Sequence, residues 1–218
     1  MRCTMQLYEK YRPARFEDVL GQNKAVKAIE KVLKTGWGGR AWWISGISGS
    51  GKTTLARIIA AQGADNWFVQ EYDSADQLTN AEMDELERVM KLYGGGGKSG
   101  RAFIINEAHG LRRAAMRRLL GILERIPSHV VFIFTTTREG QLVLFEDKTD
   151  AAPLTSRCIE IALTTQGLAK LFAAHVKRIA TIENLDGKSE QAYYRLAQDC
   201  KNNCRQMLQM VETGTMTL

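Results

Sequence analysis

The chain has 218 residues, of which 44% are hydrophobic and 25% are charged, and this ordinary globular composition suffices for one substantial domain and a small second one. No apolar run approaches the roughly 20 residues that span a bilayer, and the N-terminal MRCTMQLYEKYRP lacks the apolar core of a signal peptide, so we expect a cytoplasmic protein with no membrane contact. The net charge of +6 is compatible with a nucleic-acid partner but does not require one.

Strand-like and helix-like segments alternate from residue 24 to residue 162. A helical pattern ends at Gly36, the apolar RAWWIS predicts a strand, and KTTLARIIAAQG predicts a helix. WFVQEYD is strand-like, and Thr79 and Glu82 form a capping box for a helix that we expect to reach Tyr93. The continuous apolar runs RAFIIN and HVVFIFTTT are typical of strands buried on both faces. The alternation predicts an α/β fold, with a parallel sheet covered by helices.

From about residue 164 only helical patterns remain, in TTQGLAKLFAAHVKRIATIEN, SEQAYYRLAQDC and NNCRQMLQMVET. They predict a small all-helical second domain, joined through the polar, glycine-containing hinge ALTTQG. We therefore divide the chain into a core of residues 1–162 and a helical domain of residues 163–218.

The segment from Gly46 to Thr53, GISGSGKT, matches the phosphate-binding pattern G-x-x-x-x-G-K-[ST] in full. It lies between a predicted strand and a predicted helix, which is the context that the pattern requires. Its glycines let backbone amides close around phosphates, and the helix N-terminus adds positive charge. We expect Lys52 to reach the β- and γ-phosphates of ATP and the Thr53 hydroxyl to bind Mg²⁺. The nucleotide-binding residues predicted here are Gly46, Gly49, Ser50, Gly51, Lys52, Thr53 and Thr54.

A second polar element, FIINEAHG at 103–110, follows a buried strand and is predicted to face the same phosphates. Aspartate usually occupies the first polar position and helps to hold the metal, but here that residue is Asn106, which keeps an oxygen acceptor and lacks the charge. We expect Asn106 to support a weaker Mg²⁺ site, which Asn106→Asp would strengthen, and Glu107 to polarise the attacking water. A simple strand cap is the alternative.

Basic residues concentrate between Lys98 and Arg125, where seven of them accompany two acidic residues. In the helix HGLRRAAMRRLLGILERI, apolar residues share one face, and Arg113 and Arg117 fall nearly opposite. Such a face can follow a phosphate backbone without reading bases, although a merely solvated face has the same pattern. The candidate DNA-binding residues are Lys98, Arg101, Arg112, Arg113 and Arg117.

Four signatures in chain order resemble the clamp-loader ATPases of the AAA+ superfamily: EKYRPARFEDVLGQ at 9–22, then GISGSGKT and INEAH, and finally LTSRCIEI at 154–161. The chain is similar to replication factor C small subunits, to phage clamp loaders and to bacterial DNA polymerase III gamma and delta-prime subunits. The resemblance implies a P-loop core with a parallel five-stranded sheet, followed by a small helical lid.

The resemblance also implies roles for single residues. Arg157, in the S-R-C motif, would be the finger that reaches the ATP of a neighbouring subunit, and Thr136 would be the sensor that touches the γ-phosphate or the attacking water. Arg205 would be the second sensor. The N-terminal signature lies against the adenine in this family, which adds Arg12, Pro13 and Val19 to the nucleotide-binding residues. The implied catalytic residues are Lys52, Glu107, Arg157 and Thr136.

The function implied by the resemblance is that of an ATPase subunit in a complex that places a sliding clamp on primer–template DNA. Its partners would be the DNA backbone, the clamp and other loader subunits. Three features depart from the family: Asn106, the long segment between Thr136 and Arg157, and the absence of a third, collar domain after the lid. Two alternatives remain open: an ATP-binding subunit with little or no hydrolysis, and another AAA+ motor of DNA metabolism such as a branch-migration motor, which the S-R-C motif disfavours.

Overall fold

A computed structural model describes residues 5–137, 139–141 and 151–217, and these contain one sheet of five parallel strands. The strands are β1 (Arg40–Ser45), β2 (Val69–Tyr72), β3 (Arg101–Ile105), β4 (Val130–Thr136) and β5 (Cys158–Ala162). Their order across the sheet is β2-β3-β4-β1-β5, and every neighbouring pair is parallel. The predicted α/β fold with five parallel strands is confirmed.

Helices precede the first strand and connect the later ones. They are α2 (Asn23–Leu33), α3 (Lys52–Gly63), α4 (Asn80–Val89), α5 (Arg113–Leu123) and α6 (Ala151–Thr155). Every residue of β4 is buried, as its continuous apolar sequence predicts. On β1, Trp42 and Trp43 point to opposite faces and are both fully buried, and Trp43 joins the apolar cluster formed with α4 and α5.

Two element boundaries differ in detail from the sequence prediction. The capping residue Thr79 accepts a hydrogen bond from the Glu82 backbone amide as expected, but α4 ends at Val89 rather than near Tyr93 because the chain then turns into the glycine loop. Asn66–Phe68 forms a 3-10 turn, so β2 begins only at Val69. The long segment after Thr136 lies largely outside the described residues.

The helical part of the chain has its own apolar core. Its elements are α1 (Leu7–Lys10), α7 (Ala169–Ile182), α8 (Glu190–Asp199) and α9 (Cys204–Glu212). The core is built mainly from Phe172, Val176, Tyr193, Met207 and Val211, which repeat at helical spacing and are buried together. Within the described residues no helix has both the length and the apolar character needed to cross a membrane.

The N-terminal helix belongs to this helical unit rather than to the sheet. Leu7 is buried in the helical core, and Lys10 Nζ lies 2.7 Å from Glu183 Oε1, which also accepts a hydrogen bond from the Tyr11 hydroxyl. These hydrogen bonds hold the pKa of Glu183 below its ordinary value. The chain divides into a sheet unit, Lys24–Gly46 with Lys52–Leu163, and a helical unit that contains residues 5–23, Ile47–Gly51 and 164–217. The sequence-based division had placed the N-terminal segment in the core.

Candidate nucleotide-binding site

The loop between β1 and α3 has the backbone of a phosphate-binding loop. Gly49 has φ +74° and Gly51 has φ +95°, a left-handed conformation that favours glycine. A Cβ atom at Gly49 would also lie 2.0 Å from Asn203 Oδ1, so any other residue at this position would displace the Asn203 side chain. The buried Ser50 hydroxyl has no hydrogen-bond partner among the described residues, so it is available to a ligand oxygen.

Lys52, the first residue of α3, is almost completely buried, which is rare for a lysine. Its Nζ donates a hydrogen bond of 3.0 Å to the Gly46 carbonyl oxygen at the end of β1. The protein thus places an ammonium group at the start of the loop, where it can bind phosphate oxygens as the sequence predicts.

Thr53 and Asn106 meet as expected, because α3 begins beside the carboxyl end of β3. The Thr53 hydroxyl donates a 3.0 Å hydrogen bond to Asn106 Oδ1, and the Thr135 hydroxyl donates a second one of 2.8 Å to the same oxygen. Asn106 Nδ2 donates to Glu71 Oε1 at 2.9 Å. The asparagine side chain is therefore buried with both of its ends bonded.

Glu71 and its partner Arg57 were missed by the sequence reasoning. Arg57 Nε lies 2.8 Å from Glu71 Oε2, and Arg57 Nη2 lies 3.1 Å from Glu71 Oε1, which is a bidentate ion pair. The available signal was a charged residue near the end of the short strand-like segment WFVQEYD. What the sequence did not provide was the adjacency of β2 and β3, which brings Glu71 to Asn106.

The donor groups present suit Mg²⁺. The described residues contain no cluster of three or more His, Cys, Asp or Glu side chains that could hold a metal ion. Mg²⁺ does not need one, because it keeps several waters and binds through one or two protein oxygens together with substrate phosphates. Thr53 Oγ1 and Asn106 Oδ1, 3.0 Å apart beside the phosphate loop, are such oxygens.

Glu107 directly follows Asn106 and has a left-handed backbone, with φ 49° and ψ 48°. Such a conformation is uncommon for a residue other than glycine and often marks a functional position. The half-exposed carboxylate Oε2 lies 3.4 Å from His109 Nδ1, which in turn lies 3.3 Å from the Thr136 hydroxyl. The structure thus brings Glu107 and Thr136 together as expected, and adds His109 between them.

Arg157 lies at the amino ends of the strands, whereas the phosphate loop follows the carboxyl end of β1. Arg157 immediately precedes β5, whose first residue Cys158 pairs with Ala41 near the start of β1. β1 rises by about 17 Å between its ends. The Arg157 guanidinium is bound to Glu124 Oε1 at 2.5 Å and to the Pro153 carbonyl oxygen at 2.8 Å. Arg157 is therefore remote from Gly46 and Lys52, which lie at the carboxyl end of β1 and at the start of α3.

The sequence profile of the AAA family, described as the ATPase family associated with various cellular activities, matches residues 43–186. The chain belongs to the AAA family. The family expected from the four signatures is thereby confirmed at this level, and the matched region contains the whole sheet apart from the first residues of β1.

Several curated proteins are similar in sequence to this AAA chain. A DNA polymerase III subunit gamma of Buchnera aphidicola subsp. Acyrthosiphon pisum is 28% identical over 94% of this chain and 60% of its own length. A DNA polymerase III subunit gamma/tau of Mycobacterium tuberculosis is 34% identical over 64% of this chain and 28% of its own length. The chain thus spans less than two thirds of the length of these relatives.

Among solved structures, the RuvB Holliday junction branch migration motor of Thermotoga maritima is similar, with a TM-score of 0.70 and 21% identity over 93% of this chain and 64% of that one. This is a likeness of fold.

Besides the loop residues Gly49 to Gly51, four further predicted nucleotide-binding residues of this AAA chain lie in the helical unit. The Arg205 guanidinium lies 5.3 Å from the centre of the Tyr8 ring, and Arg12 Nε donates to Glu9 Oε2 at 3.0 Å. Pro13 is half-buried and Val19 is buried. Asn203, two residues before Arg205, accepts the Gln206 amide as the N-cap of α9 and lies against Gly49 of the loop. The nucleotide-binding role of these residues stays a prediction.

The candidate DNA-binding residues fall into two groups. Arg112, Arg113 and Arg117 are exposed at the start of α5 and along it, and α5 lies beyond the carboxyl end of β3. Lys98 and Arg101 lie at the amino end of β3, and Arg101 is occupied there, because its Nε donates to the Leu92 carbonyl oxygen at 2.7 Å and its guanidinium covers the Phe68 ring. The five residues do not form one continuous surface along β3.

Proposed function

We propose that this chain is the ATP-binding and ATP-hydrolysing subunit of a complex that loads a sliding clamp onto primer–template DNA. The observation that carries the proposal is that the phosphate-binding residues and Arg157 lie at opposite ends of the strands of one sheet. The phosphate loop, Asn106 and Glu107 follow the carboxyl ends of parallel strands, whereas Arg157 precedes β5 at its amino end. A catalytic arginine in that position can serve only the site of another subunit.

The proposed ATP site works through electrostatic positioning. The loop amides and Lys52 bind the β- and γ-phosphates, and Thr53 with Asn106 would hold Mg²⁺. When bound, Mg²⁺ neutralises phosphate charge during transfer to water. Glu107 accepts the proton of the attacking water, and Thr136 contacts either that water or the γ-phosphate. His109 lies within hydrogen-bond distance of the Thr136 hydroxyl and close to the Glu107 carboxylate, so it holds these two side chains in position relative to each other.

The arginine finger completes the site between subunits. In the free chain, Glu124 and the Pro153 carbonyl hold Arg157 in a fixed place on the surface. Contact with a neighbouring ATP replaces these partners, and its charge stabilises the transition state. Assembly and hydrolysis are thereby coupled, because a subunit without a neighbour lacks this charge.

Exposed apolar residues support a protein partner such as the proposed clamp. Trp67 is 94% exposed, and Leu92 and Tyr93 are also exposed. Arg101 joins the segments that carry them, through the Leu92 carbonyl oxygen and the Phe68 ring. Apolar side chains grouped in this way are typical of contact surfaces, and we propose this one for the clamp. On this view Arg101 organises the clamp surface and does not bind DNA.

DNA binding is proposed for the exposed face of α5. Arg113 and Arg117 are exposed on α5, on the side away from its buried apolar residues. Arg118 is bound to Asp84 at 2.8 Å and to Glu87 at 2.6 Å on α4 and is not included in the proposed face. Contacts of this kind position the protein on a phosphate backbone and do not select a sequence.

The double variant Arg113→Glu/Arg117→Glu is expected to weaken binding to primed DNA and to leave basal ATPase near normal. The loss of two phosphate contacts should flatten the dependence of log affinity on log salt concentration by about two units. Fluorescence anisotropy at several salt concentrations measures this slope. Lys31→Glu/Lys34→Glu, at the end of α2, makes the same change of charge at exposed positions and should leave the slope unchanged. An unaltered slope in the arginine variant would mean that Arg113 and Arg117 form a solvated face and do not contact DNA phosphates.

The decisive experiment measures Mg²⁺-dependent ATP turnover by the assembled protein, with and without primed DNA and a sliding clamp from the same source. We expect DNA and clamp together to stimulate turnover. Measurable ATP binding without turnover under any of these conditions would instead favour a weakly active or inactive ATP-binding subunit. That alternative is specific to this chain because Asn106 lacks the charge of the usual aspartate. The likeness to a branch migration motor concerns the fold, so stimulation by a four-way junction but not by primed DNA would be needed to favour that function.

A further inference from the structure

We infer that Glu71 is a positioning residue that requires a hydrogen-bond donor at position 106, which an amide provides and a carboxylate does not. It does so from β2, through the 2.9 Å hydrogen bond from Asn106 Nδ2 to Glu71 Oε1. The role in magnesium binding rests on the proposed function, whereas the pairing of the two side chains does not.

The argument begins with what a carboxylate can accept and donate. An ionised carboxylate only accepts hydrogen bonds, so the group that faces Glu71 Oε1 must be a donor. Asn106 Nδ2 is a donor, and an aspartate in its place would not be. Arg57 binds both oxygens of Glu71, Oε2 at 2.8 Å and Oε1 at 3.1 Å, which fixes the carboxylate in place beside Asn106.

The same contact determines the direction of the amide oxygen. With Nδ2 turned to Glu71, Asn106 Oδ1 must face Thr53 and Thr135, whose hydroxyls both donate to it. The proton of Thr53 is then directed to Asn106, which leaves the lone pairs of Thr53 Oγ1 for a cation. Glu71 therefore orients the threonine hydroxyl through Asn106, without needing to touch the metal itself.

A carboxylate therefore does lie next to position 106, but it belongs to the neighbouring strand β2. Glu71 shares its charge with Arg57, which weakens its attraction for Mg²⁺. The sequence alone suggests that Asn106→Asp would repair the metal site. The structure changes this expectation, because the variant would bring two carboxylates within hydrogen-bond distance and remove the donor between them.

The test exchanges the two groups between the strands. Wild type, Asn106→Asp, Glu71→Gln and the double variant are compared; the double variant has the net charge of wild type, and its amide on β2 can donate to the carboxylate after β3. In thermal unfolding without nucleotide or Mg²⁺, we expect Asn106→Asp to lower Tm by about 4 °C or more, and the double variant to recover most of that loss. A wild-type Tm for Asn106→Asp, or no recovery in the double variant, would overturn the inference.

A second measurement concerns the metal. The Mg²⁺ concentration for half-maximal binding of a fluorescent ATP analogue is expected to be roughly threefold or more lower for the double variant than for wild type, and not lower for Asn106→Asp alone. A lower Mg²⁺ requirement in the single variant, or one in the double variant equal to that of wild type, would contradict the inference. If none of the proteins binds the analogue while the Tm pattern is as expected, the nucleotide function fails and the Glu71–Asn106 pairing stands.

A matched control separates the effect of this pairing from that of losing any ion pair. Glu85 forms an exposed ion pair with Arg88 within α4, at 2.6 and 2.8 Å. Glu85→Gln combined with Asn106→Asp should therefore give no recovery of Tm. Recovery by this control as well would mean that a general loss of negative charge, and not the direct contact with Glu71, rescues the Asn106→Asp protein.

Discussion

Lys52→Ala is expected to raise the Kd for ATP by roughly 100-fold or more, which corresponds to the loss of charge-assisted hydrogen bonds to phosphate. In the structure the ammonium is buried and donates to the Gly46 carbonyl oxygen at 3.0 Å, so it is held at the start of the loop before any nucleotide arrives. An alanine has no group that could replace it there. Titration with a fluorescent ATP analogue measures the change.

The control for this prediction is Lys31→Ala, which removes an exposed lysine from α2. It should leave ATP affinity unchanged. Thermal unfolding without nucleotide should show that Lys52→Ala remains folded, because removal of a buried charge does not deprive the core of apolar contacts. If a folded Lys52→Ala protein bound ATP as tightly as wild type, the assignment of the loop as a phosphate site would be wrong.

The parts of the fold that the sequence predicted are those determined by local patterns. The glycines of GISGSGKT and the helix that follows them are recognisable because the loop conformation requires those residue types at that spacing. The continuous apolar run of β4 predicted burial on both faces for the same reason. The burial of Trp42 and Trp43 on opposite faces of β1 follows from the alternation of side chains along a strand.

The parts that could not be predicted depend on which elements become neighbours. Glu71 and Asn106 are 35 positions apart, and only the pairing of β2 with β3 brings them together. Glu124 and Arg157 meet because the end of α5 lies near the start of β5, which no local pattern indicates. The burial of Leu7 among the helices likewise depends on partners that are distant in the chain.

The second large effect is expected for Glu107→Gln, which should bind ATP normally and lose ATP turnover by about a thousandfold. Glutamine keeps the size and the hydrogen bonding of the side chain but cannot accept a proton from water. Glu107 has a left-handed backbone directly after β3, and its Oε2 lies 3.4 Å from His109 Nδ1. Steady-state hydrolysis together with ATP titration separates the two effects. Glu87→Gln, the same exchange on α4, should alter neither.

Turnover must be measured in assembled protein, because the position of Arg157 before β5 puts it out of reach of Lys52 in its own chain. Arg157→Ala should therefore also be inactive by itself while it still binds ATP. A mixture of Glu107→Gln and Arg157→Ala proteins should regain activity, because one kind of interface then combines an intact Glu107 from one subunit with an intact Arg157 from the other. Recovery in the mixture requires that the two residues act on one ATP from different chains. Two assembled but inactive parents whose mixture stays inactive would show that Arg157 does not complete a neighbour's site, and full activity of Glu107→Gln would remove Glu107 from the role of base.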